Sequence, residues 1–189
     1  ANALDAGHCV SERGLSGTIG RIFQGSKGRS LFATFSQLIS RIQSVCDAAA
    51  KHNRKIVVTG RSMVNAIEIA LSMGYLHIQP KIFIKSEDMA KFPENQIVVL
   101  TTGSQGEESS ALARISRGEH KTIHLKLGDT VVVSASPIPG NERSVVEVLD
   151  NLTRQGADVI YNKTLDIHAS GHAQQEELKM MFGLTKPRY

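Results

Sequence analysis

Short apolar runs, small polar loops and helical stretches alternate along the chain in a steady rhythm. "SLFATFS" leads into residues 37–50, where Leu38, Ile39, Ile42, Val45, Cys46 and Ala49 recur at helical spacing. "KIVVTGRS" leads into "MVNAIEIALSMGY", "QIVVLTTGSQGEES" into "SALARISRG", and "DTVVVSASPIPGNERS" into "VVEVLDNLTRQG". "ADVIYNKTLDIHASGH", leading into "AQQEELKMMFG", closes the series. The runs at 56–58, 97–100 and 131–133 are continuous and β-branched, as in strands covered on both faces. The pattern predicts a layered α/β/α domain around a mainly parallel sheet with right-handed crossovers. "SERGLSGTIGRIFQ" predicts one more helix before the first strand, with Ser11 as N-cap and Glu12 in the first turn. Gly74, Gly118, Gly156 and Gly183 are expected to close helices. No linker or low-complexity segment divides the chain.

The polar loops fall where strands end and helices begin. In open α/β sheets ligands bind at that edge, and helix N-termini there offer free N–H groups to phosphate. The loops at 101–107, 134–141 and 168–172 are expected to line one rim, supplying hydroxyls, glycines, amides and two imidazoles. Taken singly, each has a plain structural reading. "TTGSQGE" reads equally well as a turn in which Ser104 or a neighbour caps the next helix, and "SASPIPGNE" as a Pro-stiffened turn. No G-x-x-x-x-G-K-[ST] motif is present. The three loops together carry more weight than any one of them.

Composition narrows the function classes. A chain of 189 residues, 41% hydrophobic and 21% charged, is large enough for one domain with a single core. It has no Trp and only 5% aromatics, which argues against an aromatic platform for stacked bases. The formal charge of +4 suits either a solubilising surface or an acidic partner. Cys9 and Cys46 are the only cysteines and lack metal-type spacing, which points to free thiols in a reducing, cytoplasmic setting. No apolar run approaches the ~20 residues that span a bilayer. The start at "ANALDAGHCV" and the end at "LTKPRY" suggest a domain cut from a longer protein.

His168 and His172 frame "HASGH". A helical metal pair would place both imidazoles on one face, as in H-E-x-x-H, but Gly171 lies between these two and the Glu is missing. Three or four ligands cannot be assembled here, so no metal site is expected on this chain. His8, His52, His77, His120 and His124 are scattered and read as surface or packing residues. An imidazole at a helix start, beside the Ser170 and Gly171 amides, can instead donate to a phosphate oxygen or protonate a leaving alkoxide.

"VVLTTGSQGE", "SASPIPGNE" and "DIHASGHAQQEELKMM" resemble the β-CASP region of the ribonuclease J family. "ANALDAGHCVSERG", "RSLFATFSQLISRIQ" and "RKIVVTGRSM" match the same pattern, in order and along nearly the whole chain. The resemblance implies one Rossmann-like β-CASP domain over residues 1–189, with both ends as junctions to an absent metallo-β-lactamase domain. It further implies a zinc-dependent ribonuclease with 5′-to-3′ exonuclease and endonuclease activity, often preferring a 5′-monophosphate. The β-CASP domain would close over the site, and RNA would run between the two domains. By the same resemblance Glu12 matches an acidic catalytic motif, and His172 the histidine near the scissile phosphate. His168, Ala169, Ser170, Gly171 and His172 match the phosphate-contacting loop. Ser104, Gln105, Ser134, Ser136 and Asn141 match loops near the RNA path. Two zinc ions are implied, held by the absent domain, since the H-x-H-x-D-H signature and the later "VHGE"-type segment are not in this chain. The fragment alone is therefore expected to be inactive. Family members commonly oligomerise, largely through regions not present here. The alternative is a stand-alone, non-catalytic α/β module that binds a nucleotide or an RNA 5′ end.

Overall fold

The computed structural model describes residues 2–9, 11–161, 167 and 169–188. Five strands form one all-parallel sheet: β1 (Ser30–Ala33), β2 (Lys55–Val58), β3 (Ile97–Thr101), β4 (Thr130–Val133) and β5 (Asp158–Tyr161). Their order is β2-β3-β1-β4-β5, so the first strand is central; the chain next runs to the edge at β2, returns inward to β3, and then steps outward on the other side through β4 to β5. Ala33 pairs with Thr101 on one side and Val133 on the other, which brings the ends of three strands level at the carboxyl edge.

Alternate strand residues feed two separate cores. Phe32, Ile56, Val98, Leu100 and Val132 pack on one face, against α1 (Glu12–Gly25), α2 (Ile39–Lys51) and α3 (Arg61–Ser72). Leu31, Ala33, Val57, Val99, Val131 and Val133 pack on the other, against α4 (Ala111–Ser116) and α5 (Glu142–Arg154). Burial on both faces is the physical reason the central strands carry no alternation. The layered α/β architecture with a parallel sheet is therefore as the pattern predicts.

Ser11 caps α1 by accepting the Gly14 N–H at 3.3 Å. Gly74, Gly118 and Gly156 follow the ends of α3, α4 and α5 with φ of 72°, 73° and 85°. Gly183 does not close a helix. It lies inside α6 (Gln175–Thr185), and Lys186 takes the left-handed position at φ 42°. The hydroxyl of Thr185, donating to the Met181 carbonyl, shows that the helix continues past the glycine.

Residues 73–96 show no repeat in the sequence, and they make the longest excursion. After α3 the chain returns to the sheet edge, where Phe83 bridges Ile56 in parallel. It then crosses to the other face, where Met89 and Phe92 pack, before entering β3. At the amino edge Arg29 meets Asp129 in a buried pair, Nε to Oδ1 at 3.0 Å, fastening the start of β1 to that of β4. α6 lies outside both cores. It has no buried residue, and Met180, Met181, Phe182 and Leu184 are exposed along it. Among the described residues no helix is long and apolar enough to cross a membrane.

Candidate functional site

The loops that follow β3, β4 and β5 are joined at the carboxyl edge by two buried side chains. Gln105 is the first. Its Nε2 donates to the Ser136 carbonyl at 3.0 Å, and its Oε1 accepts the Ile138 N–H at 2.8 Å. One amide thus ties the loop after β3 to the loop after β4. Gly106 lets the loop after β3 approach the first turn of α5 (Glu142–Arg154) closely. Its φ is +70°, and a Cβ there would lie 2.5 Å from the Ser144 carbonyl carbon.

Arg41 is the second. It rises from α2 and is fully buried. Its Nε and Nη2 donate to the two carboxylate oxygens of Glu12, at 2.9 and 2.5 Å. Nη1 donates to the hydroxyl of Ser134, to its carbonyl at 3.3 Å, and to the Ile167 carbonyl at 3.2 Å. The Ser134 hydroxyl in turn donates to the Ile167 carbonyl. One guanidinium therefore joins the start of α1, the end of β4 and the segment that leads to His172. A planar group with five donors in a fixed fork suits this task, and an ammonium does not.

Beyond Ile167 the loop is braced by the amino-terminal segment. Asn2 Nδ2 donates to Ser170 Oγ at 2.9 Å and to the His172 carbonyl at 3.1 Å. The Cys9 thiol donates to the same carbonyl at 2.9 Å. Partial burial, together with the nearby Glu177 carboxylate, pushes that thiol above its ordinary pKa, in keeping with a protonated donor. Ser170 Oγ also accepts the His172 N–H at 3.1 Å, so the backbone of His172 is held while its side chain is exposed. Gln174 and Glu177 form a capping box that starts α6 immediately afterwards.

The residues singled out from the sequence thus fall into two groups. Ser104, Gln105 and Ser134 are buried, at 3%, 2% and 0% exposure. Gln105 and Ser134 use their side chains to hold loops together. Glu12 is committed to Arg41. Ser136, Asn141, Ala169 and Ser170 are half-buried at the rim, and Gly171 and His172 are exposed. Asn141 precedes α5 without a side-chain capping bond. His168 lies outside the described residues. Ser110, not Ser104, caps α4, accepting the Ala113 N–H at 3.2 Å. Arg41 was not a candidate from the sequence. The signal was present, since it stands three residues after Leu38 and four before Val45, on the apolar stripe of α2.

Among the described residues no three His, Cys, Asp or Glu side chains come together as a metal site. Those residues do not fit the zinc ions that the resemblance implies, and no step is assigned to metal on them.

The family model described as "Ribonuclease J, beta-CASP domain" matches residues 27–152. The chain is 44% identical over 188 residues to Ribonuclease J of Synechocystis sp., covering 100% of this chain and 29% of that protein. It is 43% identical to Ribonuclease J of Helicobacter pylori, covering 100% of this chain and 27% of that protein. Ribonuclease J of Thermus thermophilus is also 43% identical, with 100% of this chain and 33% of that protein covered. The chain therefore spans about a third or less of the length of these relatives.

Proposed function

Given that the chain belongs to the ribonuclease J β-CASP domain family, we propose that it binds RNA and closes over the active site of a zinc-dependent ribonuclease. That enzyme would hydrolyse RNA phosphodiesters by 5′-to-3′ exonuclease and endonuclease action in the cytoplasm. The observation that carries the reading is the joining of three strand-end loops through Gln105 and Arg41 into one rim that presents His172. The carboxyl edge of a parallel sheet is where such folds take their ligands.

In this reading each residue has a task. His172 touches substrate, giving a proton to the leaving alkoxide or a hydrogen bond to a non-bridging phosphate oxygen. The Gly171 and Ser170 backbone surrounds the phosphate, with His168 supporting the loop. Glu12 and Arg41 act as positioning residues through the Ile167 carbonyl. Ser104, Gln105 and Ser134 keep the rim's shape, and Ser136 and Asn141 border the RNA path. The zinc ions belong to the remainder of the polypeptide, where they would supply an activated hydroxide and polarise the phosphate. The exposed apolar side of α6, with Met181 and Phe182, suits contact with that remainder. Homo-oligomerisation also belongs to regions outside this chain.

The test uses the full-length parent. Because the His172 side chain is exposed, His172→Ala should leave stability and zinc content unchanged. It should lower RNA cleavage at least ~10-fold, a floor set below the roughly 10²–10⁴-fold that a positioned acid or base contributes. Cleavage at the parental rate would remove His172 from the chemistry and with it this reading of the rim.

A further inference from the structure

A cleft of about 780 Å³ opens at the same edge of the sheet, beyond the rim, between the ends of β2 and β3. Thr59, Arg61 and Asn65 line it from β2 and α3, and Ser109, Arg114 and His120 from the connection after β3. Its floor is closely built. Gly60 has φ +95°, and a Cβ there would lie 2.5 Å from Thr102 Oγ1, so the two strand-end loops touch.

His120 sets the chemistry of this cleft. It is 9% exposed, and its Nδ1 accepts the backbone N–H groups of Ile123 at 3.1 Å and Thr122 at 3.4 Å. Nδ1 must therefore be unprotonated, and the ring's proton sits on Nε2. Burial first, then the charge of Arg114, lowers the pKa of this imidazole and favours the same neutral form. Nε2–H then donates to Thr59 Oγ1 at 2.9 Å. With its oxygen occupied as an acceptor, the Thr59 hydroxyl is left to donate, and no described residue takes its proton. The guanidinium groups of Arg61 and Arg114 likewise have no hydrogen bond or ion pair among the described residues. The lining has one carboxylate, Glu107, against these two guanidinium groups. It has no Phe, Tyr or Trp. Unpaired donors, an excess of positive over negative side chains and no stacking surface select phosphate oxygens and do not read bases.

The cleft and the rim share a loop. Gly103 lines the cleft, and two residues later Gln105 is bonded to the loop after β4. From β5 to β2 the edge is four strand spacings wide, roughly 19 Å. We infer that this cleft grips the phosphate backbone of the RNA several nucleotides from the bond that is cut, independently of base sequence. The inference rests on the rim being the substrate-facing edge.

The test again uses the full-length protein. Arg61→Ala and Arg114→Ala are combined, and binding of a 5′-phosphorylated RNA of about twelve nucleotides is measured across a salt series, within the range one binding groove tracks. Affinity should fall about tenfold. The slope of log affinity against log salt should become shallower by about 1.4, at roughly 0.7 per single-strand phosphate contact. Cleavage of a 5′-phosphorylated dinucleotide, too short to reach the cleft, should be unchanged. The paired Arg→Lys variant keeps both charges and should retain the parental slope. Thr59→Val, which removes only the hydroxyl, provides a second reading should the double alanine variant fold poorly, and should weaken the long RNA alone. Unchanged affinity and slope for the long RNA would overturn the inference, as would an equal loss on the dinucleotide. Full cleavage by His172→Ala would instead count against the rim, so the two failures are distinguishable.

Discussion

Replacing Arg41 by Met removes the guanidinium that three parts of the chain share while keeping most of the side chain's volume. The consequences follow from its partners. Glu12 loses a bidentate donor, the Ser134 carbonyl loses a bond of 3.3 Å, and among the described residues the Ile167 carbonyl keeps only the Ser134 hydroxyl. Breaking a buried ion pair by removing one partner costs about 3–5 kcal/mol when the other charge stays buried. Here the Glu12 side chain is 32% exposed and can regain water, while the Arg41 site is fully enclosed. That places the expected loss at the low end, about 3 kcal/mol, a large share of the roughly 5–15 kcal/mol that holds a typical domain. At ~2–4 °C per kcal/mol for a chain of this size, melting should fall by about 6–12 °C. Urea unfolding of the parent, Arg41→Met, Glu12→Gln and the double variant gives the cycle that isolates the pair. A coupling of at least about 1 kcal/mol is expected for groups in direct contact. The amides of Gly171 and His172 should also exchange faster in Arg41→Met, because the anchor of their loop is gone. A loss under about 1 kcal/mol with additive single effects would refute the claim that Arg41 holds the rim.

Two glycines separate backbone strain from collision. Gly106→Ala forces a Cβ to 2.5 Å from the Ser144 backbone at φ +70°, whereas Gly118→Ala meets open space at φ +73°. The first should destabilise by about 3 kcal/mol and the second by about 1, as read from denaturant midpoints; equal losses would refute a close approach of the loop after β3 to α5. His120 gives a pH signature. Its folded pKa lies below the ordinary 6.5, so the unfolded chain takes up the proton first as pH falls. Its contribution to stability is therefore complete above pH 6.5 and is lost below it, down to the folded value. The urea midpoint should drop between pH 7.5 and 5.5, and His120→Asn should shrink that drop; an identical drop in the variant would show that the imidazole is not held neutral.

The parts of this molecule legible from its sequence are those governed by neighbours along the chain. Ile97, Val98, Val99 and Leu100 read as a doubly covered strand because both faces meet helices. Ser11 read as a cap because capping is settled within three residues. The order β2-β3-β1-β4-β5 was not legible, since it depends on partners such as Ala33, Thr101 and Val133, which are far apart in sequence. The same distinction runs through the site. The polar loops announce themselves, but whether a given hydroxyl or amide faces a ligand or a neighbouring loop is decided by contacts across 31 residues for Gln105 and Ser136 and 126 for Arg41 and Ile167. Ser134 and Gln105 have the side chains of ligand-binding residues, yet they are used as braces. His120 has the look of a packing residue, and it is one, yet its two backbone bonds determine which way Thr59 offers a proton. A buried polar group costs free energy unless every bond is made. The residues that shape such a site are therefore recognised by where their bonds end, and a site built from polar loops on a parallel sheet will commit many of its polar side chains to its own walls before any remain for a ligand.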